Sequence, residues 1–193
     1  MKNPQAASST PKQVMTTKTI ACCALLAALS VVLARLIIPM PNATTRFSIE
    51  AVPIFLAGML FGPMAGGLVG FTADFVGCLF SGYGYNPLFC VPPILYGICG
   101  GLFRGMIAGK ASIPRLTLAF FVPVVLGSVL YQSFTLTFVY YTGDSFLVGL
   151  ASFLASRSVQ FAITLVLDVA VVYLLLRAKV LDRIGLWPPV KNR

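Results

Sequence analysis

The sequence predicts an all-α integral membrane protein: a compact bundle of six transmembrane helices with both chain ends in the cytoplasm. Three observations carry this prediction. The chain is 58% hydrophobic and only 10% charged, with a mean hydropathy of +0.92, whereas a soluble domain is roughly 45–50% apolar and about 25% charged. Its apolar runs are continuous rather than alternating, which suits helices and not a barrel. Its basic residues collect on alternate loops. A spanning helix needs ~20 apolar residues, so six spans use nearly all of the 193 residues.

The elements follow in order. Residues 1–18, with Lys2, Lys12 and Lys18, read as a polar cytoplasmic tail, residues 19–180 as the six-helix substrate-binding domain, and residues 181–193 as a basic cytoplasmic tail. Thr19 to Ile38 is the first span. It is too long for a signal-peptide core, and no small-x-small cleavage site follows it before Pro39. Residues 39–48 are rich in turn formers and read as a loop. A short second span covers 49–61, Phe61–Gly62–Pro63 makes a tight turn, and the third span covers 64–80. A loop at 81–87 precedes span four (88–108), span five (116–141) and span six (146–176).

Orientation follows from the bias of lysine and arginine toward cytoplasmic loops. Of the 14 such residues, Lys2, Lys12, Lys18, Arg104, Lys110, Arg115, Arg177, Lys179, Arg183, Lys191 and Arg193 share the side of the N-terminus. Arg46 alone falls on the other side, and Arg35 and Arg157 fall within spans. Both termini are therefore expected inside.

Several chemistries are excluded. The chain has no histidine, and Cys22, Cys23, Cys78, Cys90 and Cys99 form no CxxC pair, so neither a zinc site nor histidine acid–base chemistry is expected. The cysteines read as small apolar fillers. No basic run marks a nucleic-acid face. No P-loop, GxSxG or HExxH motif occurs. The expectation is a binding protein without cofactor, metal or enzymatic activity. No internal repeat of the kind that builds self-sufficient carriers is evident, so any transport draws its energy from a partner.

Two glycine ladders recur every four residues, Gly58–Gly62–Gly66–Gly70 and Gly97–Gly101–Gly105–Gly109. That spacing lets helix backbones approach closely. Ionisable residues in spans are costly and mark candidate function. Arg35, Arg46, Glu50, Asp74 and Arg157 all fall in the outer half of the predicted bundle, and Asp168 lies deep on the inner side. Arg157, Gln160, Thr164 and Asp168 share one face of span six by 3-4-4 spacing. Ser128, Gln132 and Thr135, with Tyr131 beside them, share a face of span five, and Gly70, Asp74, Gly77 and Ser81 a face of span three. Three polar stripes imply a polar cavity, with Phe47, Tyr83, Tyr85, Phe89 and Tyr96 at its outer mouth. Arginines suit carboxylates, a buried carboxylate suits an amino–NH edge, and aromatic rings suit a flat ring. The expected ligand is a small anion carrying an aromatic heterocycle.

The stretch 46–87, RFSIEAVPIFLAGMLFGPMAGGLVGFTADFVGCLFSGYGYNP, resembles the substrate-binding S components of energy-coupling factor (ECF) transporters, most of all their folate-specific branch. The RFS start, the AGMLFGP turn and the ADxxG segment carry the resemblance. It implies a six-helix bundle in the bacterial plasma membrane that captures folate or a reduced folate on the outer face. It also implies partners: a membrane coupling protein and, through it, two cytoplasmic ATPases. The S component would topple in the membrane to release its vitamin inward. The family's AxxxA docking pattern falls on Ala24 and Ala28, with Cys23 and Ala27 as a parallel small pair. Arg46, Phe47, Ser48 and Asp74 match the folate-branch pattern. Arg35, Tyr83, Tyr85, Asn86, Tyr96, Gln132, Arg157 and Gln160 complete the expected ligand set. The sequence departs from the family where a PGF-like loop gives way to Asn86–Pro87–Leu88–Phe89. Riboflavin and a queuosine precursor therefore stay open as ligands. So does an autonomous ion-coupled carrier using Asp74 or Asp168.

Overall fold

The computed structural model describes residues 16–35, 38–39, 46–47, 49–81, 85–109, 112–143, 145–179 and 181. It is helical almost throughout. The helices are α1 (Thr17–Leu33), α2 (Ala51–Phe61), α3 (Pro63–Ser81), α4 (Val91–Leu102), α5 (Arg104–Gly109), α6 (Ile113–Pro123), α7 (Gln132–Tyr140) and α8 (Phe146–Arg177). A 3₁₀ turn, Pro87–Cys90, leads into α4, and a π-helix, Val124–Tyr131, joins α6 to α7. The first helix ends at Leu33 and not at Ile38: Ile38–Pro39 (β1) pairs antiparallel with Arg46–Phe47 (β2), Ile38 opposite Phe47.

Among the described residues, three helical segments are long and apolar enough to cross a membrane: Pro63–Phe80, Ile113–Tyr140 and Phe146–Arg177. Thr17–Leu33, Ala51–Phe61 and Pro87–Leu102 are shorter apolar helices. Large apolar side chains such as Leu25, Met64, Phe80, Leu102, Phe138 and Leu147 stand exposed on the outside. A surface of that kind needs lipid around it, and the chain is a membrane protein.

Two predicted spans are interrupted. Span four breaks at Phe103, whose φ of −85° and ψ of 0° leave the helical region, so α5 runs separately. In span five Pro123 cannot donate to the carbonyl four residues back, and the helix continues with i→i+5 bonding from Val124.

The core is built around α2. All its residues but Phe61 are buried. Gly62, at φ 99°, makes the reversal into α3 in a conformation glycine alone adopts without strain. Glycines then bring α2, α3 and α4 into backbone contact. A Cβ on Gly97 would fall onto the Gly66 carbonyl, one on Gly58 onto the Gly97 carbonyl, and one on Gly100 onto the Phe55 carbonyl. Members of the two ladders thus meet each other, the close backbone approach that their four-residue spacing permits. Gly105, by contrast, faces open space. Phe55 and Phe120 stack at 3.9 Å between ring centres and tie this layer to α6.

Helix lengths give the bundle its depth profile. At ~1.5 Å per residue, α3 outreaches α2 by roughly 12 Å from their shared turn. The start of α2 is pinned beside α1 by the Ser30 hydroxyl, which donates to the Glu50 carbonyl at 2.8 Å. Further along α1, the Arg35 guanidinium donates to the Gly77 carbonyl of α3 at 2.7 Å. Between these two ties, α3 rises past the α2 N-terminus.

Candidate ligand site

The polar cluster nearest the long end of α3 centres on Asp74. Gly70, one turn earlier, lets α3 lie directly against the Pro93 carbonyl of α4, and this closeness brings Asp74 opposite Cys90. The half-buried carboxylate lies near the Cys90 thiol, which in turn lies near the Tyr85 hydroxyl. Asp74 Oδ2 is buried without a hydrogen-bond partner among the described residues. The Tyr85 ring meets Phe75 edge-on at 5.1 Å. Asn86 acts locally, its Oδ1 accepting from the Leu88 N–H at 3.1 Å and capping the 3₁₀ turn. Arg35 is exposed and bonded to Gly77, one turn past Asp74 on the same face of α3.

A second polar group lies deeper. Tyr96 is 4% exposed, its hydroxyl 3.2 Å from Ser128 Oγ and its ring 6.4 Å from that of Phe120. It belongs to the core and not to an outer mouth. Asp168 is completely buried, with neither carboxylate oxygen hydrogen-bonded among the described residues. The α8 stripe forms as its spacing predicts: Gln160, Thr164 and Asp168 are buried, and Arg157 is half-buried with its guanidinium 5.7 Å from the centre of the Phe161 ring. The stripe on span five is wider than predicted. Gln132 is half-buried, but Ser133 and Thr137 are fully buried beside Ser128 and Thr135. The π-helix Val124–Tyr131 holds more residues per turn than an α-helix and so shifts the helical register, which spacing counted on an unbroken α-helix misses. Thr135, Thr137 and Thr164 spend their hydroxyls on carbonyls of their own helices.

The remaining expected residues divide in two. Arg46 and Phe47 are described through their backbone in β2 alone, and Ser48 and Tyr83 lie outside the described residues. On α1, Ala24 and Ala28 are exposed while Cys23 and Ala27 are buried. Ala24 lines a groove of about 180 Å³ between α1 and α3, with Ile20, Ala65 and Leu68. A larger groove of about 380 Å³ lies between α6 and α8, lined by Thr117, Leu165, Val169 and Tyr173 among others. Both grooves are apolar, and neither includes an expected ligand residue.

Known proteins resemble this chain in sequence and fold. A family model described as "ECF-type riboflavin transporter, S component" matches residues 14–179. "Folate transporter FolT" of Clostridium novyi (strain NT) is 28% identical over 119 residues, 61% of this chain and 67% of that protein. "Uncharacterized protein MG098 homolog" of Mycoplasma pneumoniae (strain ATCC 29342 / M129 / Subtype 1) is 31% identical over 81 residues, 42% of this chain, and the match spans only 17% of that relative. The solved structure "Crystal structure of FolT bound with folic acid" superposes with a TM-score of 0.69 at 28% identity, covering 82% of this chain and 93% of that one. A family model spanning nearly the whole chain, joined by a fold shared with FolT, shows that this protein belongs to the ECF-type riboflavin transporter S component family, a family of transporter subunits and not of enzymes.

Proposed function

We propose that this chain is the folate-binding S component of an ECF-type importer in a bacterial plasma membrane. Six spans with both termini inside would place the Asp74 end of α3 on the outer face. Folate or a reduced folate would be captured there. A coupling protein would dock on the exposed Ala24–Ala28 face of α1, and two cytoplasmic ATPases would supply the energy. The observation that carries the reading is the likeness, over 82% of this chain, to a FolT structure with folic acid bound. Asp74 Oδ2, buried without a hydrogen-bond partner among the described residues, supports it as an acceptor suited to the amino–NH edge of a pterin. Arg35, Arg46 and Arg157 would serve the carboxylates or ring acceptors. Phe47, Ser48, Tyr83, Tyr85, Asn86, Gln132 and Gln160 would line or cover the site, and Tyr96 would back it from the core.

The test is the small molecule that co-purifies with the chain, identified by mass spectrometry, followed by titration of the emptied protein. Folic acid is expected to bind and to be displaced by reduced folates. The family model's description favours a second reading, riboflavin, and preferential riboflavin binding in the same titration would establish it. ATP depletion in cells with an intact ion gradient separates both from an autonomous carrier. Uptake is expected to stop.

A further inference from the structure

The groove between α6 and α8 has a shape and a charge pattern that vitamin capture does not use. It measures about 380 Å³, within the ~300–1,000 Å³ of small-molecule pockets. α6 leads through the π-helix and α7 to a short connection at 141–145, so α8 returns beside α6 in the opposite direction. The groove lies between the first turns of α6, at Ile113 and Thr117, and the stretch of α8 from Leu165 to Leu174. Buried Val169 forms its floor, and the small side chain of Ala170 keeps it open. The Thr117 hydroxyl donates back to the Ile113 carbonyl at 3.0 Å, so its proton is spent within α6. Ile113, Val166 and Leu174 are each more than half exposed, so the walls open outward to the surrounding lipid. An occupant that costs nothing to desolvate here is hydrocarbon.

The charge stands at one end. Arg177 follows Tyr173 by four residues and Leu174 by three, so it lies on the groove face of α8, one turn further on. It is exposed, and the helix ends directly after it, where Lys179 takes a φ of 52°. Arg115, also exposed, stands in the first turn of α6 at the same end. The charged residues of 104–117 and 169–181 are Arg104, Lys110, Arg115, Arg177 and Lys179, all of them basic. Length sets the kind of occupant. From Leu165 to Leu174 α8 rises ~14 Å at ~1.5 Å per residue, about half of a ~30 Å hydrocarbon core. A partner helix would run the full thickness, whereas an acyl chain needs the depth of one leaflet and a headgroup at its boundary. We propose that this groove binds an anionic phospholipid: one acyl chain lies between α6 and α8, and the phosphate meets Arg177, with Arg115 and Lys179 beside it. The guanidinium fork matches a phosphate bidentately, and basic pockets between membrane helices select acidic headgroups. The inference rests on the chain's being a membrane protein and not on which vitamin it carries.

The experiment is native mass spectrometry of the detergent-purified full chain, titrated with phosphatidylglycerol and, separately, with zwitterionic phosphatidylcholine. Wild type should prefer phosphatidylglycerol about fivefold or more, the factor that one basic residue near an acidic headgroup contributes. Arg177→Gln should bring the two lipids to within about twofold of each other without weakening phosphatidylcholine. Ala170→Phe, which fills the groove, should abolish retention of both. In vesicles of phosphatidylglycerol carrying a diazirine on one acyl chain, the photolabel should concentrate on Ile113–Thr117 and Leu165–Leu174. Equal affinity for the two lipids in wild type, an unchanged preference in Arg177→Gln, or a photolabel spread evenly around the bundle overturns the proposal. If Ala170→Phe does not fold, the photolabel on wild type decides. A second copy, or a helix of a coupling protein, seated in the groove would remove the label from these residues in the dimer or the assembled transporter, and that loss overturns the proposal too. None of these readouts depends on whether the chain binds folate or riboflavin.

Discussion

The two halves of the bundle are held together by different means. In α2, α3 and α4 the backbones themselves touch, and Gly58, Gly66, Gly70, Gly97, Gly100 and Gly101 sit where a Cβ would meet a neighbouring carbonyl or main-chain atom. In α6, the π-helix, α7 and α8, contact is made by side chains such as Phe120, Thr137 and Val172. A buried polar stripe runs through that half, and the helix ladder is re-registered after Pro123. Backbone contacts admit no adjustment, whereas side chains repack. The polar stripe that faces the rigid layer therefore belongs to the half with room to change.

Substitutions can break or sharpen this contrast. The largest effect is expected at Gly97→Val, which drives a branched side chain into the Gly66 carbonyl and should cost about 3 kcal/mol, the upper end for overpacking. Loss of monodisperse protein, or a sharp fall in thermal midpoint in detergent, would register it; a fully stable variant would refute the rigid-layer account. Next comes Asp74→Ala, which leaves a ligand NH edge unpaired and should weaken folate binding by ~1–3 kcal/mol while leaving the unliganded melting point nearly unchanged. Asp168→Leu works in the opposite direction. Removing a buried carboxylate that lacks hydrogen bonds among the described residues should raise stability by about 1 kcal/mol, and a lower melting point would mean the adjustable half depends on that group. The smallest effect, under ~0.5 kcal/mol, is expected for Gly105→Ala, since nothing lies within 4 Å of the added carbon. A large loss there would show that the ladder's spacing matters beyond the contacts it makes.

Much of this architecture is legible in the sequence, for identifiable reasons. The Gly62 reversal, the short α2 and the buried face of α8 follow from local rules: a glycine–proline turn, a brief apolar run and 3.6-residue periodicity. The break at Phe103 is not legible, because Gly101–Leu102–Phe103 reads as uninterrupted apolar helix. The burial of Ser133 and Thr137 is hidden for a related reason: the π-helical stretch Val124–Tyr131 moves every later residue around the axis. Tyr96 reads as a mouth residue when α4 is taken to start at 88 as one straight span, and the proline-led 3₁₀ turn before Val91 upsets that assumption. The nearness of buried Cys90 to Asp74 and Tyr85 is hidden because it depends on neighbours from other segments. The Asp74–Cys90 proximity requires knowing how closely α3 and α4 approach, which the glycines permit but do not specify.

The unequal helix lengths have a consequence for the lipid. α8, with 32 residues, is ~48 Å long, and α1, with 17, is ~26 Å, against a hydrocarbon core of about 30 Å. One side of the molecule overshoots the bilayer while another falls short, so no single depth satisfies its whole perimeter. Lipids must thin around α1 and thicken, or admit a tilted helix, around α8, at a cost of fractions of a kcal/mol per Å of mismatch. A body with such an uneven rim is never flush with its membrane, and leaning in the bilayer costs it less than it would cost a cylinder of uniform height.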